Sequence, residues 1–356
     1  MKNDTNAVAN VMKYRPYILA FAVWLFAAAQ SGCTSNFHQN QKVHFQEESH
    51  FSGASQFEID AESPLSAIGF DDDGVLYTLM QDSGRITAFG QDGKELQSFS
   101  RATSTERGRA EAVAMGVSEE RVFTIDAKDS ALLEWRKTGE LVSKTVISYP
   151  ISPGDFEFTK DGEILHGAEG FSHDSLVVMF DQDGRLAGYV GEAAEASDQL
   201  ARTQSIRGEL ARGRVPNFMK NSVLVASGSA GAVYILRKTE PILQCYQDGA
   251  LVFQRILDFP ELADIRETNR IRNRVLESKS GYIPHSLWSD VCVDADGNIF
   301  ILLSLQKKQT IYRLDAKGEN PQKLVGRYGK GHLLAASKKR LAIADAGNRT
   351  VTIYSL

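Results

Sequence analysis

The side chains best suited to chemistry in this chain sit in two long stretches and in one aromatic run that leads into a strand. Residues 192–217 carry Arg202, Arg207, Arg212 and Arg214, and residues 260–290 carry Arg266, Arg270, Arg272, Arg274 and Lys279. Guanidinium groups in such numbers suit an anionic ligand or an acidic partner surface, because each offers a fork of N–H donors. The same stretches hold Glu192, Glu195, Glu209, Glu261, Asp264, Glu267 and Glu277, which could instead neutralise those arginines on solvated helix faces. Within Tyr282–Asp290, the residues His285, Trp288 and Asp290 are candidates for contact with a ligand. Trp288 equally suits an aromatic plug that does nothing but pack.

Other constellations do not reach the chemistry they suggest. Asp71-Asp72-Asp73-Gly74 and Asp294-Ala295-Asp296-Gly297 have the look of calcium loops, but neither is followed by the bidentate Glu such a loop needs, so both read as hairpin turns. His166 and His173 with Asp174 lie seven apart around a loop, which is not a zinc spacing. Gly228-Ser229-Ala230-Gly231 has no helix behind it to hold phosphate, and no Gly-x-Ser-x-Gly elbow occurs. No catalytic residue, metal or cofactor is expected, and the net charge of −5 argues against a general affinity for nucleic acid.

The scaffold that would hold these residues in place comes as a repeat. An alternating strand, a small polar turn, a second alternating strand and an Asp-Gly or Thr-Gly hairpin return every 42 to 68 residues. The first unit runs Ser66–Phe70, Val75–Leu79, Arg85–Phe89 and Glu95–Phe99; the sixth stops one strand short after Thr350–Tyr354. A ring of such sheets must close, and either Val43–Phe51 or Phe57–Ile59 can supply the missing outer strand. The fold expected is all-β: a six-bladed β-propeller over residues 43–356, closed by an N-terminal strand. Its insertions, 192–217 and 260–290, share one face as a partial lid. Each shows helical spacing, through Leu200, Ile206 and Leu210 in one and Leu262, Ile265, Ile271, Val275 and Leu276 in the other.

Ahead of the repeat, Lys2, Lys13 and Arg15 precede the apolar run Ile18–Ala29, which is short for a lone membrane span and right for a secretory signal over residues 1–32. Those three cations against Asp4 give the leader +2, so the processed chain carries about −7. Gln30-Ser31-Gly32-Cys33 resembles the bacterial lipoprotein box, with Gln30 where the box usually has Leu. That resemblance implies lipid attachment at Cys33, a tether over residues 33–42 and a cell-envelope location; ordinary cleavage after Ala27–Ala29, with secretion, is the alternative. Cys245 and Cys292 fall on different blades and read as buried free thiols.

Ala344-Asp345-Ala346-Gly347-Asn348-Arg349-Thr350-Val351 resembles the NHL repeat, and the chain as a whole resembles exported six-bladed propellers of the NHL and lactonase-like superfamily. The resemblance implies a non-catalytic, monomeric module that binds a protein, peptide or glycan on the insertion face, through His285, Trp288, Asp290, Arg207, Arg212, Arg214, Arg270 and Arg274. It touches the membrane through the lipid alone. The alternative it implies is a metal-dependent, lactonase-like hydrolase, for which Asp155, Asn217, Asp290 and Glu111 could converge at the channel mouth.

Overall fold

The computed structural model describes residues 41–45, 47–59, 63–100, 111–149, 151, 155–167, 174–195, 203–276, 281–304, 310–325, 332–345 and 350–356. The leader with Cys33, the tether to residue 40, and Arg202, Lys279, His173 and residues 346–349 lie outside them.

Six antiparallel sheets form a ring. Their innermost strands are Leu65–Phe70, Ala112–Val117, Asp155–Phe158, Val223–Ser227, Trp288–Val293 and Leu333–Ser337. Each packs against the next, and the last packs against the first. Period-two alternation sends successive side chains to opposite faces of a blade, and both faces are buried: Leu76 and Met80 pack toward blade six, and Tyr77 and Leu79 toward blade two. We call the two rims of the ring the turn face, where first and second strands join, and the insertion face, where each blade passes to the next.

Closure is by the N-terminal segment, which does more than the sequence suggests. Ser52–Glu58 pairs antiparallel with Thr350–Ser355 as the outer strand of blade six. Before that, Gln41–His44 lies parallel to Arg255–Asp258 on blade four, and Glu47–His50 lies parallel to Gln322–Val325 on blade five. Both expected closing segments are therefore used, on different blades, and the strand begins at Gln41, inside the stretch read as tether. Every described strand lies within Gln39–Leu356, which forms one compact unit.

Among the described residues, the insertions form three helices: α1 (Thr203–Ala211), α2 (Asn217–Lys220) and α3 (Glu261–Leu276). Helix α1 packs on α3. Helix α3 buries Leu262 and Ile265 beside Phe259, Leu287, Trp288 and Tyr312 of blades four and five. The next buried positions on α3 are Asn269 and Asn273, so the expected apolar stripe through Ile271 and Val275 points outward instead. Asn273 takes that place because its amide serves the following loop, accepting from Ile283 N–H at 2.8 Å and donating to Ile283 O at 2.9 Å.

Two glycines show how closely neighbouring blades approach. A Cβ on Gly93, at φ +77°, would lie 2.8 Å from Phe57 of the closing strand. A Cβ on Gly116, in blade two's innermost strand, would run into the ring of Phe158 from blade three. Gly116→Val should therefore cost about 2 kcal/mol by overpacking, read as a lower urea midpoint; an unchanged midpoint would refute the close approach.

Candidate functional site in the central channel

The six innermost strands and their first turns enclose a cavity of about 640 Å³ that opens on the turn face. Its lining is mixed: Ile68, Met115, Val117, Phe158, Val293 and Leu334 are apolar, and Glu157, Ser227 and Cys292 contribute polar groups. Asp72, Glu119, Glu120, Lys160 and Lys338, also on its lining, are exposed. A space of this size, lined by apolar side chains interspersed with polar and charged ones, can serve as a ligand site.

The chemistry of the channel follows from its geometry. Innermost strands have no partner on the channel side, so their edge N–H groups need acceptors from elsewhere. Asp155 Oδ2 accepts from Val225 N–H of blade four at 2.6 Å, and Asp290 Oδ2 accepts from Leu334 N–H of blade six at 2.5 Å. Each carboxyl thus ties its strand to the next blade. Ser227 donates its hydroxyl to Glu157 Oε1 at 3.1 Å and lies 2.9 Å from Phe158 O, also across a blade boundary.

These carboxyls are only half-exposed and have protein on every side, and that surrounding raises their affinity for protons. Burial pushes Asp155 up to about 6, against the pull of Lys238 and the Val225 amide. Burial pushes Glu157 up to about 8, with Ser227 opposing and the charge of Asp155 adding. Asp290 rises well above the usual carboxylate range, first by burial and then by the charges of Asp155 and Glu157. The Cys292 thiol is raised by burial and by Asp290 and Glu157, which leaves it a poor nucleophile. Cys292 is half-buried rather than fully buried as expected, because its strand faces the channel; Cys245 is buried, and both are free.

The residues picked out in the sequence divide between this channel and the helices. Asp290 stands in the channel. His285 is buried, with burial lowering its pKa against an interaction with the Leu210 backbone. Trp288 is buried and donates Nε1–H to Arg237 O at 2.9 Å and Glu240 O at 3.2 Å, so it packs the start of blade five. Arg212 and Arg214 both pair with Glu209, Arg270 pairs with Glu267, and Arg274 Nε donates to Ala211 O at 3.3 Å. Arg207 is half-buried on α1. None of these helix residues lines the cavity, so the insertions form a pair of helices on blades four and five that adds nothing to its wall.

Of the four candidate metal ligands, Asp155 and Asp290 come within electrostatic reach of each other, whereas Glu111 is exposed and Asn217 begins α2. Among the described residues no group of three or more His, Cys, Asp and Glu is arranged to hold a metal ion. Sequence reasoning missed Glu157 and Ser227. A signal for them existed: Asp155 and Glu157 are two apart on an innermost strand, which puts both side chains on the same side.

No protein-family model matches the chain, and no curated protein matches it in sequence. Solved structures do share its fold. A putative exported protein of Bacteroides fragilis superposes with a TM-score of 0.53 at 11% identity, covering 88% of this chain and 99% of the other. A catalytically inactive virginiamycin B lyase of Staphylococcus aureus, with quinupristin, gives 0.51 at 10% identity over 85% and 99%. XC5397 of Xanthomonas campestris, described as a gluconolactonase, gives 0.50 at 14% identity over 86% and 91%. At these identities the likeness is one of fold alone.

The raised proton affinities fix the direction of a pH effect on stability. Glu157 holds its proton up to about 8 in the folded ring, against about 4.5 when unperturbed, so between those values the folded state binds more protons than the unfolded one. Its stability contribution is full below the lower value and is lost as pH rises through about 8; Asp155, raised to about 6, acts in the same direction over a narrower window. The melting temperature should fall over this range by on the order of 3 °C, and Glu157→Gln should flatten the fall. A melting temperature that rises across the window in wild type, or a slope unchanged in the variant, would rule this out.

Proposed function

We propose that the protein is an exported binding module that takes the end of a peptide or glycan into its central cavity from the turn face. The observation that carries this reading is the cavity of about 640 Å³ built by all six blades, with Glu157 and Ser227 on its lining and Asp155 and Asp290 beside Glu157. An amino group suits that lining: a cation arriving beside Glu157 brings an opposite charge to a desolvated carboxyl and displaces its proton. Apolar side chains of the lining such as Ile68, Met115 and Phe158 would hold the adjoining part of the ligand. On this reading no bond is made or broken.

Titration calorimetry with trilysine and glucosamine oligomers, each beside its N-acetylated form, tests this. The amine-bearing probes should bind, release protons, and bind about tenfold more weakly to Glu157→Gln, a loss of roughly 1.4 kcal/mol. The reading fails if acetylation or the substitution makes no difference. The same titration with calcium chloride addresses the alternative of a metal-dependent, lactonase-like hydrolase; no calcium binding would dispose of it.

Export is supported by the leader with its apolar run and by the fold shared with a putative exported protein. Lipid attachment at Cys33 belongs to the same proposal. Metabolic labelling with a radiolabelled fatty acid should mark the wild-type chain and not Cys33→Ala, and label retained by the variant would place the lipid elsewhere.

A further inference from the structure

The insertion face carries a surface for which the cavity has no use. Because α3 buries Leu262, Ile265, Asn269 and Asn273, its opposite side presents Ile271 and Val275, which are 50% and 62% exposed and one turn apart. Arg270, Arg272 and Arg274 lie beside them on the same helix. The turn after α1 adds Arg212 and Arg214, and Gly213 between them lies against the Arg270 side chain. Glu209 and Glu267 pair with three of these arginines, yet these seven charged residues keep a net charge of +3 in a chain of −5.

Branched apolar side chains set among guanidinium groups match a phospholipid surface, where an anionic layer covers an apolar one. No helix among the described residues is long and apolar enough to cross a membrane, so such a contact would lie in the interface plane. The chain before the ring points the same way. Forty residues precede Gln41, among them the apolar run Ile18–Ala29, and Gln41–His44 joins the ring along Arg255–Asp258, which leads through Phe259 and Pro260 into α3. The eight residues from Cys33 to Gln41 span at most about 29 Å when extended, close to the length of α3, about 24 Å.

We infer that this patch docks the ring, insertion face down, on an anionic phospholipid surface, which leaves the cavity on the opposite face open. The inference stands whether or not the cavity takes the ligand proposed above.

Sedimentation of the 39–356 segment with phosphatidylcholine vesicles, with and without phosphatidylglycerol, provides the test. This segment lacks the leader and Cys33, so neither can supply the binding. It should bind the anionic vesicles only, and less as salt rises. Arg272→Glu should weaken binding at least roughly fivefold, since one basic residue near such a surface contributes about that factor. Ile271→Ser combined with Val275→Ser should weaken it too, and Lys338→Glu on the turn face should not. Melting curves matching wild type would show that the variants fold. Absence of binding to anionic vesicles, equal binding by the folded Arg272→Glu variant, or an equal effect of Lys338→Glu would overturn the inference. So would an acidic protein crosslinked at the patch of a ring that ignores vesicles, because the partner would then be that protein.

Discussion

The ring stands or falls with the pairing of Ser52–Glu58 and Thr350–Ser355. A propeller blade gains little from standing alone: its wide faces are apolar and are buried only by the blades on either side. Without the closing strand, blade six would have three strands, and the contact of Leu333–Ser337 with Leu65–Phe70 would lose its support. Phe57 against Phe89 at 4.9 Å and Phe51 stacked on Tyr354 at 4.4 Å show closure to be a matter of packing as well as hydrogen bonding. The parallel strands laid on blades four and five extend this clasp along the outer edges, where unpaired backbone groups would otherwise meet solvent.

Closure has a chemical consequence at the centre. Six strand edges converge on one channel, and their N–H groups on that side have no neighbouring strand to bond. Asp155 and Asp290 answer part of that need by accepting from the neighbouring blade. In doing so they bring carboxyls close together in a poorly solvated place, and Glu157 completes the group. The raised proton affinities come from the architecture, because the same ring that demands acceptors also excludes the solvent that would let them ionise freely. The two faces of the ring then differ in kind. The turn face leads to this polar, proton-holding channel, whereas the insertion face carries helices on which arginines outnumber their acidic partners.

The ring was legible in the chain alone. Alternation with period two, Asp-Gly turns and a last unit one strand short are local signals, and each follows from how a side chain alternates or how a turn bends. They were enough to number the blades and to expect an N-terminal closing strand. Which side chains meet was settled only by tertiary contact. Asn273 occupies a buried helix position because Ile283 offers it both a donor and an acceptor, which helical spacing of apolar residues cannot express. Trp288 and His285 became packing residues because the helices close over them. Glu157 and Ser227, inconspicuous in the sequence, share the channel lining because blades three and four bring residues seventy apart to 3.1 Å. Local pattern records the conformation of one segment, and a site is made of segments that touch only after the ring has closed.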